Sequence, residues 1–168
     1  GVIVQVPSYP PFRAAIEETG RRLVPLEMVP GENGFTFDLN SLADQMDGVR
    51  IFVLCNPQNP TGRAFDRGEL ERILAFARKH DLIVLSDEIH SDLLFDGAMH
   101  IPFSTLPGAE ERTVTFNSAT KGFNIPGLRT AVMHFGCAEM LDRFHQSFPG
   151  RVMGSPNTLG IDAPVAAW

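Results

Sequence analysis

Six side chains of complementary chemistry stand where apolar runs of the sequence end. Tyr9 follows Val2 to Val6 in the stretch Pro7-Ser8-Tyr9-Pro10, and Asn59 follows Ile51 to Cys55 in Asn56-Pro57-Gln58-Asn59-Pro60-Thr61-Gly62. Asp87 lies in Ser86-Asp87-Glu88-Ile89-His90, directly behind an apolar run ending at Leu85. Ser118 and Lys121 lie in Asn117-Ser118-Ala119-Thr120-Lys121, and Arg129 comes eight residues after the lysine. Together they are what a flat, phosphorylated aldehyde with a cationic ring nitrogen would need. The lysine offers an amine for a Schiff base, the aspartate a carboxylate for the ring N–H, the asparagine a donor to a phenolate oxygen and the tyrosine a stacking face. Serine and arginine offer a hydroxyl and a guanidinium for the phosphate. Each also has an ordinary reading as surface charge, cap, turn residue or core edge. Their joint placement carries the argument.

Ligands of open α/β sheets collect beyond the carboxyl ends of strands, so the elements that deliver these residues matter. After the first strand, Phe12, Ala15, Ile16 and Thr19 recur at helical spacing and Gly20 offers a stop. Leu23 to Val29 reads as a strand, and Asp38 is placed to cap a short helix carrying Leu39, Leu42 and Met46. Ile51 to Cys55 reads as a buried strand. Asp66 and Glu69 form a capping-box pattern ahead of a helix with Leu70, Ile73, Leu74 and Ala77 on one face, and Leu82 to Leu85 is a further buried strand. Thr113 to Phe116 and Ala131 to Phe135 are expected as strands, Ala138 to Phe148 and Asn157 to Trp168 as helices. Strands alternating with amphipathic helices predict an α/β fold, a mostly parallel sheet flanked by helices, in one domain without a dividing linker.

The 168 residues, 43% hydrophobic and 20% charged, suffice for one globular domain or a large piece of a bigger one. Fourteen basic against 20 acidic residues give a formal charge of −6 with no basic stripe, which sets nucleic acid aside as a partner. No apolar run approaches the roughly 20 residues of a membrane span, and no basic region precedes an apolar stretch at the N-terminus. A cytoplasmic location with no membrane partner is the expectation. Cys55 and Cys137 both end strand-like apolar runs and are expected as buried, reduced thiols without a role. The chain starts directly on a strand and stops inside an apolar stretch, Ala163 to Trp168, as expected of a segment of a longer protein.

Three of the chemical stretches carry a family resemblance. Asn56 to Gly62 contains an NPTG sequence, Ser86 to His90 opens with SDE, and Ser118 to Arg129 reads SATKGFNIPGLR. In order and spacing these resemble the signatures of the fold-type I, pyridoxal-phosphate-dependent aminotransferase superfamily (class I/II) over nearly the whole chain. The resemblance implies pyridoxal 5′-phosphate as cofactor, with Lys121 as the internal-aldimine lysine and proton shuttle and Asp87 as the partner of the protonated pyridine nitrogen. It implies Asn59 as donor to the O3′ oxygen, Ser118 and Arg129 as phosphate ligands, and Tyr9 as the ring-stacking aromatic. The finer similarity, in DEIHSDLLF, HIPFSTL and SATKGFNIPGLRTA, is to the cystathionine β-lyase-like C–S lyase branch. That implies a small amino-acid substrate of the cystathionine type and a homodimeric parent, with an aminotransferase as the alternative.

One position departs from the pattern. Three residues after the aspartate, where many aminotransferases have a tyrosine reaching O3′, this chain has His90, whose imidazole could hydrogen-bond there but titrates near neutrality. A purely structural His90 stands beside that reading. By the same resemblance, the glycine-rich phosphate turn lies upstream of the first strand and the arginine for the substrate carboxylate lies beyond Trp168. Residues 1–168 are therefore expected to be the central part of the cofactor-binding large domain, inactive in isolation. Two rivals remain: a metal-dependent hydrolase built on Asp87, Glu88, His90 and Asp92, and an inactive scaffold fragment. No dinucleotide fingerprint follows the first strand and no Walker-type loop occurs.

Overall fold

The computed structural model describes residues 1–32, 34–95, 97–148, 150 and 154–168. They form two compact units, Gly1–Asp87 and Glu88–Trp168.

In the first unit, Val2–Val6 (β1) pairs in parallel with Leu23–Gly31 (β2) on one side and with Ile51–Cys55 (β4) on the other. Ile83–Asp87 (β5) continues the sheet in parallel beyond β4. The chain therefore leaves β1 in one direction and later returns to its opposite side. That makes the gap between β1 and β4 a topological switch point, where the connections after the two strands part and leave a crevice.

Alternation along the strands sorts two apolar faces. Val2, Val4 and Val53 pack with Ile16 and Phe12 of Pro10–Glu18 (α1), while Ile3, Val24, Leu26, Phe52, Leu54 and Val84 point to the other face and are fully buried. Arg67–Lys79 (α2) buries the expected stripe Leu70, Ile73, Leu74 and Ala77. Its capping box is formed, with the Glu69 N–H donating to Asp66 at 2.8 Å and the Asp66 N–H donating to the Glu69 carboxylate at 2.8 Å. Helix α1 ends at Gly20, where φ is +68°, and the Arg21 N–H closes back on the Ile16 carbonyl at 3.0 Å.

Two local expectations change. Asp38 does cap, accepting from the Asn40 N–H at 2.9 Å, but the segment Leu39–Gln45 is a 3-10 helix, so Met46 falls outside it. The sequence reading also passed over Gly34–Phe37 (β3), which pairs antiparallel with β2. An Asn33-Gly34 dipeptide between apolar runs is a hairpin signal; Asn33 lies outside the described residues.

In the second unit Thr113–Asn117 (β6) pairs antiparallel with Val132–Phe135 (β7). Ala119–Gly122 (α3), Ala138–Ser147 (α4) and Thr158–Ala167 (α5) complete it. Cys137, expected as a buried thiol, is the N-cap of α4 and is only partly buried. Just beyond β7, Gly136 passes so close to the Glu110 carbonyl that a side chain would clash, and its N–H donates to Thr113 at 3.0 Å. Asn157 caps α5 by accepting from the Gly160 N–H at 2.7 Å. Among the described residues no helix is long and apolar enough to cross a membrane.

Candidate functional site

The first unit brings Tyr9, Asn59 and Asp87 to the carboxyl ends of β1, β4 and β5. Tyr9 is the N-cap residue of α1, 46% exposed, with its ring edge-on to Phe12 at 5.8 Å between centroids. Asn59, partly buried, belongs to the loop that leaves β4. Asp87 is the last residue of β5, in register with Cys55, and its main-chain carbonyl accepts the Asn56 N–H at 2.9 Å. The Cys55 thiol beside it is pushed up to about 12, chiefly by burial, with the Asp87 carboxylate adding to the rise and a hydrogen bond from the Asn59 backbone opposing it. Cys55 is therefore a protonated, unreactive thiol at neutral pH, as the sequence reading expected.

The second unit carries His90, Ser118, Lys121 and Arg129. Ser118 caps α3, accepting the Thr120 N–H at 3.1 Å. Its single hydroxyl proton goes to the Thr130 carbonyl at 2.5 Å, because that oxygen can only accept. The Thr120 hydroxyl, 2.8 Å away, must then donate to Ser118. Reaching a phosphate oxygen requires Ser118 to release Thr130, a rotation about one bond.

Lys121 is exposed at the last turn of α3. The turn is closed by a Schellman arrangement, with the Ile125 N–H donating to Thr120 at 3.0 Å, the Asn124 N–H to Lys121 at 3.4 Å, and Asn124 left-handed at φ +55°. Arg129, also exposed, is left-handed at φ +49° where a 3-10 turn over Pro126–Leu128 ends. A left-handed arginine costs about 1–2 kcal/mol, so the turn around it is held by its surroundings. Neither Lys121 nor Arg129 has an acidic partner among the described residues. In a chain with 20 acidic residues, two cations without partners on one strained segment suit an anionic ligand that condenses with an amine. An apolar cavity of about 410 Å³ borders Ser118, lined by Val132, Pro156, Ile161, Val165 and Trp168.

Sequence reasoning placed Glu88 only in the hydrolase rival and gave His100 no role of its own, and the structure pairs them. The Glu88 carboxylate is buried, accepting the Phe103 N–H at 2.9 Å and lying 2.7 Å from His100 Nε2. Its main-chain N–H donates to the Phe116 carbonyl at 2.9 Å and its carbonyl accepts from Ser91 at 2.9 Å. The segment bearing His90 is thereby tied to the end of β6. His100 lies twelve residues from its partner, a pairing no local pattern announces. Glu88→Ala leaves two buried donors without acceptors at about 1–3 kcal/mol each, so denaturant unfolding should show a loss of about 3 kcal/mol, with Glu88→Gln losing less. With Glu88 so engaged, the hydrolase rival loses a ligand. Among the described residues no group of three or more His, Cys, Asp or Glu is arranged to hold a metal ion.

Comparison with known proteins agrees with this chemistry. Residues 1–147 match the family described as Aminotransferase class I and II. Cystathionine beta-lyase PatB of Bacillus subtilis is 32% identical over 99% of the chain and 44% of its own length. The crystal structure of OvoB superimposes with a TM-score of 0.95 at 37% identity, over 100% of this chain and 45% of that one. Cystalysin from Treponema denticola, whose crystal structure contains a pyridoxal 5′-phosphate cofactor, gives a TM-score of 0.89 at 30% identity, over 98% of this chain and 42% of its own. The chain thus spans less than half the length of these relatives.

Proposed function

The chain belongs to the class I and II aminotransferase family, and from that premise we propose that its parent is a pyridoxal-phosphate-dependent C–S β-lyase acting on cystathionine-like amino acids. The observation that carries the cofactor reading is Lys121: one exposed amine without an acidic partner on the turn that Ser118 caps. In this reading residues 1–168 are the central part of the cofactor-binding large domain of a homodimer.

Bound pyridoxal phosphate supplies an electron sink for the bond pair released at the substrate Cα. Ser118 and Arg129 would hold its phosphate, the Tyr9 ring would stack on it, and the Asn59 amide would donate to its O3′. The Asp87 carboxylate keeps a proton on the ring nitrogen. Lys121 would supply the amine that holds the cofactor's aldehyde carbon, and its Nζ would serve as the base at the substrate Cα. His90, held in the segment that Glu88 ties down, is assigned to the O3′ side.

The lyase reading is favoured over transamination by the DEIHSDLLF and HIPFSTL stretches and by PatB among the relatives. After Cα deprotonation, a lyase expels the β-thiolate, which takes up a proton as thiol, and water hydrolyses the remaining aminoacrylate to pyruvate and ammonia, whereas a transaminase reprotonates and releases a keto acid by hydrolysis. Incubating the full-length parent with cystathionine should yield pyruvate, ammonia and thiol faster than any amino-group transfer to 2-oxo acids. Rapid transamination with negligible thiol release would make the parent an aminotransferase on the same site.

A further inference from the structure

The loops bearing Tyr9 and Asn59 leave β1 and β4 on opposite sides of the switch point, and beneath them the two strands have already parted. Pairing of β1 with β4 ends at Val4 and Val53, while that of β4 with β5 runs on to Cys55 and Asp87. The Cys55 N–H turns instead to the buried side chain of Gln5, whose oxygen accepts it at 2.9 Å. No ladder bond therefore fixes the distance between the two loops.

Above the Gln5 contact at the strand ends, one side chain joins the loops themselves. Gln58 is 2% exposed, and its Nε2 donates to the Pro7 carbonyl at 2.8 Å, two residues before Tyr9. Its Oε1 accepts the backbone N–H of Thr61 at 2.8 Å and the Thr61 hydroxyl at 2.5 Å. The Gln58 backbone is held as well, donating to Arg63 at 2.7 Å and accepting from Gly62 at 2.8 Å. A primary amide is what the place requires: a donor facing a carbonyl and an acceptor facing two donors, on one planar group. A carboxylate would turn an acceptor toward Pro7, and an apolar side chain would serve neither end.

We propose that Gln58 is a positioning residue, a clasp between the loops after β1 and β4 that sets the separation of the Tyr9 ring from the Asn59 amide. The inference rests on the assignment of those two residues to the cofactor made above. Because Asn59 is the next residue in the chain and Tyr9 lies two beyond Pro7, a clasp that opens displaces both contacts together. Ring stacking and the donor to O3′ are then lost in concert, while Lys121, Ser118 and Arg129 are untouched.

The test uses the full-length parent loaded with pyridoxal phosphate. Gln58→Glu should move the visible absorption band of the bound cofactor and speed its release on dilution by about tenfold, the size of one lost charge-assisted contact. Thr61→Val, which removes one donor to the Gln58 oxygen, should act in the same direction and less, and Thr61→Ser should restore the wild-type values. A loss of stability alone would lower the unfolding midpoint of the cofactor-free protein without moving the band. A wild-type band and release rate in Gln58→Glu would overturn the clasp; should that variant not fold, the same result in Thr61→Val would overturn it. A wild-type parent that takes up no cofactor would overturn the proposed function and the clasp together.

Discussion

Lys121→Ala in the full-length parent is expected to abolish the borohydride-reducible link to pyridoxal phosphate and to lower turnover by about 10³-fold or more. The local structure makes this a clean substitution. Alanine is the best helix former, the Ser118 cap and the Asn124 turn involve only main chain at position 121, and Lys121 is exposed without an acidic partner among the described residues. Thermal unfolding should therefore stay within about 0.5 kcal/mol of the wild type. This segment has two lysines, Lys79 and Lys121. Lys79 closes α2 just before β5 begins, at the amino end of the strands, whereas Tyr9, Asn59 and Asp87 stand at the carboxyl ends. Peptide mapping after reduction should find the pyridoxyl group on Lys121; finding it on Lys79 would refute the assignment.

The elements that place these residues were legible where the signal is local. The Asp66 and Glu69 capping box, the Gly20 stop and the buried runs Ile51–Cys55 and Val2–Val6 each follow from a few neighbouring residues, and each stands in the structure. Errors arose where the outcome depended on contacts distant in sequence. Cys137 reads as a buried thiol because nothing in MHFGC reveals that it caps α4, where it is only partly buried. Strand β3 was missed although its hairpin signal was present, since GFTF is too short for its alternation to stand out.

The candidate site divides along the same line. Residues following strand ends could be chosen from the sequence because the sheet architecture dictates where ligands gather. What holds those residues could not. Gln58 reaches Pro7 across 51 positions and Glu88 reaches His100 across 12, and both look from the sequence like ordinary polar loop residues. Buried amides and carboxylates are recognisable only once burial is known, because their value lies in partners that leave no spacing pattern.

Asp87→Ala should separate chemistry from binding more sharply than any other change at this site. The strand end that carries Asp87 is held by its main chain, in register with Cys55 and accepting from Asn56 at 2.9 Å, and neither contact uses the carboxylate. Those main-chain contacts remain in Asp87→Ala, which removes one negative charge. That charge is proposed to hold the proton on the ring nitrogen, and without it the sink for the Cα electrons is lost. The proposed phosphate and lysine contacts do not involve Asp87, since Ser118, Arg129 and Lys121 lie on other segments. Turnover is expected to fall by about 10³-fold, the scale of losing one electrostatic stabiliser of developing charge, while cofactor affinity falls by about tenfold at most. Asp87→Asn should behave like alanine, since an amide of the same shape cannot balance a cation, and Asp87→Glu should recover part of the rate. Steady-state kinetics beside a cofactor titration decides the matter. Equal, modest losses of turnover and affinity in Asp87→Ala would mean that the carboxylate serves only to hold the fold.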